Sequence, residues 1–112
     1  MIKVRFNAPG VFPFSEEVPE GTGILVGRRP DLASVDRTSV PVSTLRPVPV
    51  PSGLVSENHL LVWNHGGELF LRDLKSTNGS QWNLAPGELV RARSGGEVEI
   101  ELAGGGEGLQ KP

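Results

Sequence analysis

Four polar side chains that can bind an anion lie beside short apolar segments of this sequence. They are Arg28, Ser56, Thr77 and Asn78, and the last two belong to the stretch DLKSTNGSQWN (73–83). A guanidinium is a planar fork that can bind two oxygens of one phosphate, and hydroxyls add short donors. An amide can pair with a peptide backbone as donor and as acceptor. If the fold brings them together, these residues could hold a phosphate group and the peptide chain that carries it.

Two hydroxyls stand side by side in the turn S-T-N-G at residues 76–79. Gly79 supplies the positive φ that a tight turn needs, and turning alone requires neither hydroxyl. We expect the hydroxyl of Thr77 and the amide of Asn78 to face a ligand. We expect the other hydroxyl, that of Ser76, to bond to the backbone of its own turn.

Catalytic and metal chemistry find little support in the sequence. The glycines of GTGILVG (21–27) precede Arg-Arg-Pro and no helix, whereas a dinucleotide site needs a strand, a turn and a helix. A catalytic triad could be composed of Ser56, His59 and Asp73, but the sequence does not indicate that a base and an oxyanion site lie next to the serine. With two histidines and no cysteine, a zinc site is disfavoured. We therefore expect no catalytic residue, no metal and no cofactor.

Composition limits the class of protein and its partners. The 112 residues suffice for one domain with its own core. A net charge of −2, from 11 basic and 13 acidic residues, argues against bulk binding to nucleic acid or acidic membranes. No apolar run approaches the roughly 20 residues that span a bilayer, and the N-terminus lacks the apolar core of a signal peptide. We expect a cytoplasmic domain that binds neither nucleic acid nor membrane.

Short strands are predicted along most of the chain. Glycine and proline, which interrupt helices, together exceed a fifth of the residues. MIKVRF (1–6) and EVEIEL (97–102) alternate apolar with polar residues, and NHGG (64–67) predicts a hairpin turn between HLLVW and ELFLRDL. This pattern predicts an all-β fold, an antiparallel β-sandwich of two sheets.

Two segments depart from this rhythm. Residues 28–53 form a long connection, and its proline-dense second half is predicted as an edge strand or an extended surface loop. Its Val, Leu and Ala residues would suit packing against the sandwich. The C-terminal AGGGEGLQKP reads as a flexible linker. We therefore expect a domain over residues 1–103, a Gly-rich linker or tail over 104–112, and a longer parent protein.

The order of the polar motifs resembles the forkhead-associated (FHA) domain. Gly27-Arg28 comes first, S-x-x-H follows at Ser56 and His59, and S-T-N-G comes last, each at a strand end. DLKSTNGSQWN is similar to the family's usual DLxSTNGTxxN, and the resemblance covers about residues 2 to 102. It implies a β-sandwich whose loops at one end bind phosphothreonine.

The resemblance also implies a role for each motif residue. Arg28, Ser56 and Thr77 would contact the phosphate, and Asn78 would hold the main chain of the bound peptide. Three further residues would support the loops: Gly27, His59 and Gly79.

Two departures from the family pattern leave two hypotheses open. The loop insertion over residues 29–53 is longer and richer in proline than usual, and it borders the expected peptide groove. Glu57 follows Ser56 where the family commonly carries a basic or amide residue, and an acid there opposes phosphate. A functional site needs Glu57 turned away and paired with Arg29 or with a basic residue of the partner, which is the arrangement we expect. The first hypothesis is a phosphothreonine reader that recruits a phosphorylated protein, and the alternative is a phosphate-independent assembly module with the same fold.

Selectivity beyond the phosphate is predicted from the loop before Ser56. By resemblance, this loop reads a residue a few positions C-terminal to the phosphothreonine. Leu54 offers no charge, so we predict an apolar or tolerant preference there, whereas Arg46, the other candidate, would select an acid. A phosphothreonine peptide library with unphosphorylated controls measures the preference, and strong selection for Asp would contradict the assignment to Leu54.

Overall fold

Two five-stranded β-sheets form the architecture in a computed structural model that describes residues 2–74, 76–78, 80–81, 90–92, 97–103 and 109–110. The strands are β1 (Ile2–Ala8), β2 (Val11–Val18), β3 (Thr22–Gly27), β4 (Thr44–Pro49), β5 (Leu60–His65), β6 (Glu68–Asp73), β7 (Ser80–Gln81), β8 (Val90–Ala92), β9 (Glu97–Leu102) and β10 (Leu109–Gln110). Sheet A has the strand order β10-β7-β9-β1-β2, and sheet B has the order β4-β3-β5-β6-β8. The predicted all-β class with two sheets is confirmed.

Both sheets are mixed, so the prediction of a purely antiparallel sandwich is wrong in this respect. The hairpins β1–β2 and β5–β6 are antiparallel, whereas β3–β4, β1–β9 and β7–β10 are parallel. Residues 28–43 connect β3 to β4, and a connection of this length allows the chain to cross over and run parallel. Local alternation carries no information about such pairings, because each strand buries one face in either orientation.

The main core consists of the alternating residues that the sequence pattern identifies. Ile2, Val4 and Phe6 of β1 are fully buried, and the apolar positions of β9 are buried beside them. Sheet B contributes one face of its central strands to the same core. The buried members of this core cluster are Ile2, Val4, Phe6, Val18, Ile24, Val26, Val48, Val50, Val55, Leu60, Val62, Leu69, Leu71, Val98, Ile100 and Leu102.

The opposite face of sheet B is covered by the connection between β3 and β4. This connection contains two 3-10 turns, Leu32–Ser34 and Arg37–Ser39. Its apolar side chains pack on those of β3, β4 and β5 in a second cluster, as expected from their types. The buried members are Leu25, Val40, Leu45, Leu61 and Trp63, with Leu32, Val35, Val42, Phe70 and Leu74 partly buried against them.

Aspartates begin both 3-10 turns of this connection. The side chain of Asp31 accepts a hydrogen bond from the N–H of Ala33, and that of Asp36 accepts one from the N–H of Thr38. The hydroxyl of Thr38 also donates to Asp36, and these hydrogen bonds, the hydroxyl first, lower the pKa of Asp36.

The proline-dense half of residues 28–53 forms the edge strand β4, one of its two predicted states. β4 pairs with β3 on one side and is the first strand of sheet B, so Pro47 and Pro49 occupy an edge strand, where a missing donor is tolerated. A loop insertion over residues 29–53 is therefore not shown.

The turn between β5 and β6 is the predicted hairpin. Gly66 and Gly67 have φ of 64° and 81°, and His65 pairs with Glu68 across them. Positive φ at both central residues is the geometry of a type I′ turn.

One further expectation concerns the end of the chain. Leu109–Gln110, within the predicted tail, form β10 parallel to β7, and the rest of 104–112 lies outside the described residues. The boundary at residue 103 stays a prediction.

No helix among the described residues has the length and hydropathy of a membrane span.

Leu61 tests the covering of sheet B. Its side chain is 2 % exposed in the second cluster, so Leu61→Ala should lower the free energy of unfolding by about 2–5 kcal/mol. The control is Phe12→Ala, because Phe12 is 93 % exposed and its loss should cost no more than about 0.5 kcal/mol. Urea unfolding of both variants measures the difference. Equal, small effects would mean that residues 28–43 do not cover this face.

Candidate functional site

Strand order brings the three polar motifs to the same end of the strands of sheet B. β3, β5 and β6 are neighbours, and both pairings are antiparallel. Val26 near the end of β3 pairs with Leu60 at the start of β5, which pairs with Asp73 at the end of β6. The segments that follow β3, precede β5 and follow β6 therefore meet at the same place.

Gly27 allows the first two motifs to join directly. The N–H of Arg28 donates to the carbonyl of Ser56 at 2.9 Å, and the N–H of Arg29 donates to the carbonyl of Glu57 at 3.2 Å. A Cβ at residue 27 would lie 2.0 Å from the carbonyl oxygen of Glu57, which no side chain can do without moving the backbone. Close approach of two backbones is the physical reason for a glycine at this position, and the support role of Gly27 stays a prediction.

His59 lies fully buried beneath Ser56. Its Nδ1 accepts a hydrogen bond from the backbone N–H of Ser56 at 3.0 Å, so this nitrogen does not act as a base for the serine hydroxyl. The backbone of His59 donates to Val26 and accepts from the N–H of Leu74. His59 thus touches all three segments, which suits a support better than a catalytic base.

The carboxylate of Asp73 organises the S-T-N-G turn. It accepts hydrogen bonds from the N–H of Ser76 at 2.9 Å, from the hydroxyl of Ser76 at 2.7 Å and from the hydroxyl of Ser80 at 3.1 Å. The hydroxyl of Ser76 therefore bonds to a side chain, and the expected bond to its own backbone is wrong. The sequence analysis missed this role of Asp73, although Asp side chains commonly accept hydrogen bonds from nearby backbone N–H groups in turns. Gly79, a predicted support, lies outside the described residues.

Ser56, Thr77 and Asn78 join the second and third motifs. The N–H of Thr77 donates to Oγ of Ser56 at 3.0 Å, and Nδ2 of Asn78 donates to the carbonyl of Leu54 at 2.8 Å. The Ser56 hydroxyl accepts in this contact, so its own hydrogen can be donated elsewhere. The exposed Thr77 hydroxyl has no partner among the described residues. Asn78 keeps its second N–H and its Oδ1 for another group.

These residues surround an open cleft of about 310 Å³. The described residues that line it are Arg28, Gly53, Leu54, Val55, Ser56, Glu57, Thr77 and Asn78. Leu54, which is 51 % exposed, is one of these lining residues. The cleft thus collects the four predicted ligand-binding residues together with Leu54 and Glu57.

Arg46, the other candidate for selectivity, lies elsewhere. It is on β4, forms an ion pair with Glu16 and donates from Nη2 to the carbonyl of Glu17 at 3.1 Å. It lines a separate groove with residues of β2. Between the two candidates, only Leu54 is placed where a ligand of the cleft would pass.

Glu57 faces the cleft, in contrast to the expected turned-away arrangement. Its Oε1 lies 3.7 Å from Nη2 of Arg28, and both side chains are partly exposed. No ion pair between Glu57 and Arg29, one of its two expected partners, occurs among the described residues. The Arg28–Ser56 and Arg29–Glu57 backbone hydrogen bonds hold the two loops side by side, so the side chain of Arg28 lies within reach of Glu57. Among the described residues, no three His, Asp or Glu side chains form a group that could hold a metal ion.

Gly27→Ala tests the close approach of β3 to the Ser56 loop. The added methyl collides with backbone, so we expect the free energy of unfolding to fall by about 1–3 kcal/mol or more. The control is Gly53→Ala in the same cleft, where an added Cβ meets nothing within 4 Å and the cost should stay within about 0.5 kcal/mol. Urea unfolding compares the two variants. Equal stabilities would show that the approach is not tight.

A comparison with models of known protein families finds a match. The family model described as FHA domain matches residues 24–101, more than two thirds of the chain, including all three motifs. No curated protein and no solved structure matches the chain. FHA domains are generally phosphopeptide-binding modules of protein–protein interaction and not enzymes. This chain belongs to the FHA domain family.

Proposed function

We propose that the domain binds phosphothreonine in a peptide segment and thereby recruits a phosphorylated protein. One observation carries the proposal: Arg28, Ser56, Thr77 and Asn78, from three separate segments, line the same cleft. A cation, two hydroxyls and an amide suit a phosphate joined to a peptide backbone. In this proposal the first three contact the phosphate and Asn78 contacts the peptide main chain.

The free donors of the cleft match the acceptors of a phosphate. Arg28 offers its planar fork from the end of β3, and its side chain is 41 % exposed. Ser56 keeps its hydroxyl hydrogen because Thr77 donates to its oxygen, and Thr77 presents its own hydroxyl from the neighbouring turn. These donors need no change of partner to meet an incoming phosphate oxygen, apart from the contact between Arg28 and Glu57.

The loops that carry these donors are held in place before binding. Backbone and side-chain hydrogen bonds join Arg28 to Ser56, Thr77 to Ser56 and Asn78 to Leu54. A site that is ordered in the free protein loses less conformational entropy when the ligand binds. Gly27, His59 and Asp73 contribute to binding in this indirect way.

Threonine is proposed over serine because of its additional methyl group. Burial of one methyl contributes about 0.8 kcal/mol, or roughly a fourfold preference. A larger preference would require a closely fitting wall, for which Leu54 and Val55 of the cleft are the apolar candidates.

The phosphate-independent assembly module remains a second candidate because of a groove between β2 and β4. It has a volume of about 470 Å³ and is lined mainly by Val, Phe and Pro side chains, with Phe12 almost fully exposed. Both strands are at sheet edges, where an extended segment of a protein partner could lie. Binding of equal strength to phosphorylated and unphosphorylated partners would favour this candidate.

Arg28→Ala tests the proposed phosphate contact. Loss of a paired charge should cost roughly 2–5 kcal/mol, so a micromolar affinity for a phosphothreonine peptide should fall by about 30-fold to several thousandfold. Stability should change little, because Arg28 is exposed on a loop. Calorimetric titration of one phosphothreonine peptide and its unphosphorylated form measures the effect.

The matched control is Arg29→Ala, which removes the same charge one residue away. Arg29 does not line the cleft, so most of the affinity should remain. Arg28→Lys separates charge from geometry, because an ammonium keeps the charge and loses the fork. Equal affinities of wild type and Arg28→Ala for the phosphopeptide would overturn the assignment.

A further inference from the structure

Glu57 and Arg28 form an ion pair at the place where phosphate is proposed to bind. The distance of 3.7 Å between Oε1 and Nη2 exceeds that of a charge-assisted hydrogen bond, and the side chains are 57 % and 41 % exposed. Arg28 and Glu57 are the charged residues among those described as lining the cleft. The free cleft therefore contains one cation that already has an anionic partner.

A bound phosphate changes the surroundings of Glu57. The dianion takes the guanidinium of Arg28 through two oxygens, because a bidentate contact is stronger than a loose ion pair. The carboxylate of Glu57 then has no cationic partner and lies beside the phosphate dianion, and these like charges repel. A cation next to the phosphate would convert this repulsion into attraction.

The described part of the protein offers no such cation in place. Arg29 is the nearest in sequence, but its contact with Glu57 is made by its backbone N–H and not by its guanidinium. Arg46 is held in an ion pair with Glu16 outside the cleft. The phosphopeptide itself can provide the missing charge.

We propose that Glu57 is a specificity-determining residue that selects phosphothreonine peptides with Lys or Arg close to the phosphothreonine. This inference rests on the proposed phosphopeptide binding and names the class of peptide. Glu57 lowers the affinity for phosphopeptides without a basic neighbour, since such peptides leave its carboxylate beside the phosphate. It thereby turns the departure from the family pattern at this position into discrimination between partners.

Phosphothreonine peptides with Lys or Ala at each of the three positions on either side test the proposal. For wild type, Lys at one or two positions should raise the affinity about twofold to fivefold over Ala, the range of an exposed ion pair. The preference should weaken as salt is added. In Glu57→Gln it should disappear, and the affinity for the Ala peptides should rise.

Glu99→Gln is the matched control. Glu99 forms a similar loose ion pair, 3.6 Å from Nε of Arg5, and it does not line the cleft. It removes the same charge, so a general electrostatic effect would appear in both variants, whereas the proposal requires the Lys preference to persist in Glu99→Gln.

The remaining outcomes separate the two proposals. If Glu57→Gln binds phosphopeptides but retains the wild-type preference for Lys, the role of Glu57 is refuted while phosphopeptide binding stands. The proposed role of Glu57 is also refuted if Lys is preferred only after Arg29→Ala, because Arg29 would then be the natural partner of Glu57. If no variant binds any of the phosphopeptides, the proposed function fails and this inference fails with it.

Discussion

The hydrogen bonds between the end of β3 and the loop before β5 are the contact on which the site depends. They join the N–H groups of Arg28 and Arg29 to the carbonyls of Ser56 and Glu57, and they form only because Gly27 has no side chain. This contact decides which residues face each other across the cleft. It brings Arg28 and Ser56 to the same cleft, where the carboxylate of Glu57 lies 3.7 Å from the guanidinium of Arg28.

The rest of the site extends this contact toward β6. The buried side chain of His59 accepts a hydrogen bond from the backbone N–H of Ser56, and the N–H of Thr77 donates to the hydroxyl oxygen of Ser56. Asp73 holds that turn through Ser76 and Ser80, whose side chains are buried. Burying a polar group without a partner is costly, so these hydrogen bonds stabilise the observed loop geometry. Within the described part of the cleft, the hydroxyl hydrogens of Ser56 and Thr77 and the second N–H of Asn78 are left for the proposed ligand.

Sequence patterns identified those parts of the structure that depend on local chemistry. The buried faces of β1 and β9 followed from alternation, the hairpin at Gly66 and Gly67 from turn chemistry, and the three motifs from residue types at strand ends. The family assignment is confirmed, whereas the roles of the individual site residues stay proposals.

The features that the sequence did not reveal depend on contacts between distant segments. Parallel pairing of β3 with β4 requires knowledge of how residues 28–43 cross the sheet. The same pairing places Arg46 outside the cleft, in an ion pair with Glu16. The contact of Glu57 with Arg28 requires the two loops to be joined by the backbone hydrogen bonds next to Gly27. Charge and residue type alone did not distinguish Arg28 from Arg29 as its partner.

Amide chemical shifts during titration with one phosphothreonine peptide and with its unphosphorylated form locate the ligand on the domain. We expect the largest shifts at Arg28, Ser56, Glu57, Thr77 and Asn78, and the unphosphorylated peptide should produce almost none of them. Shifts of equal size with both peptides, or shifts centred on the groove between β2 and β4, would contradict a phosphate site in this cleft.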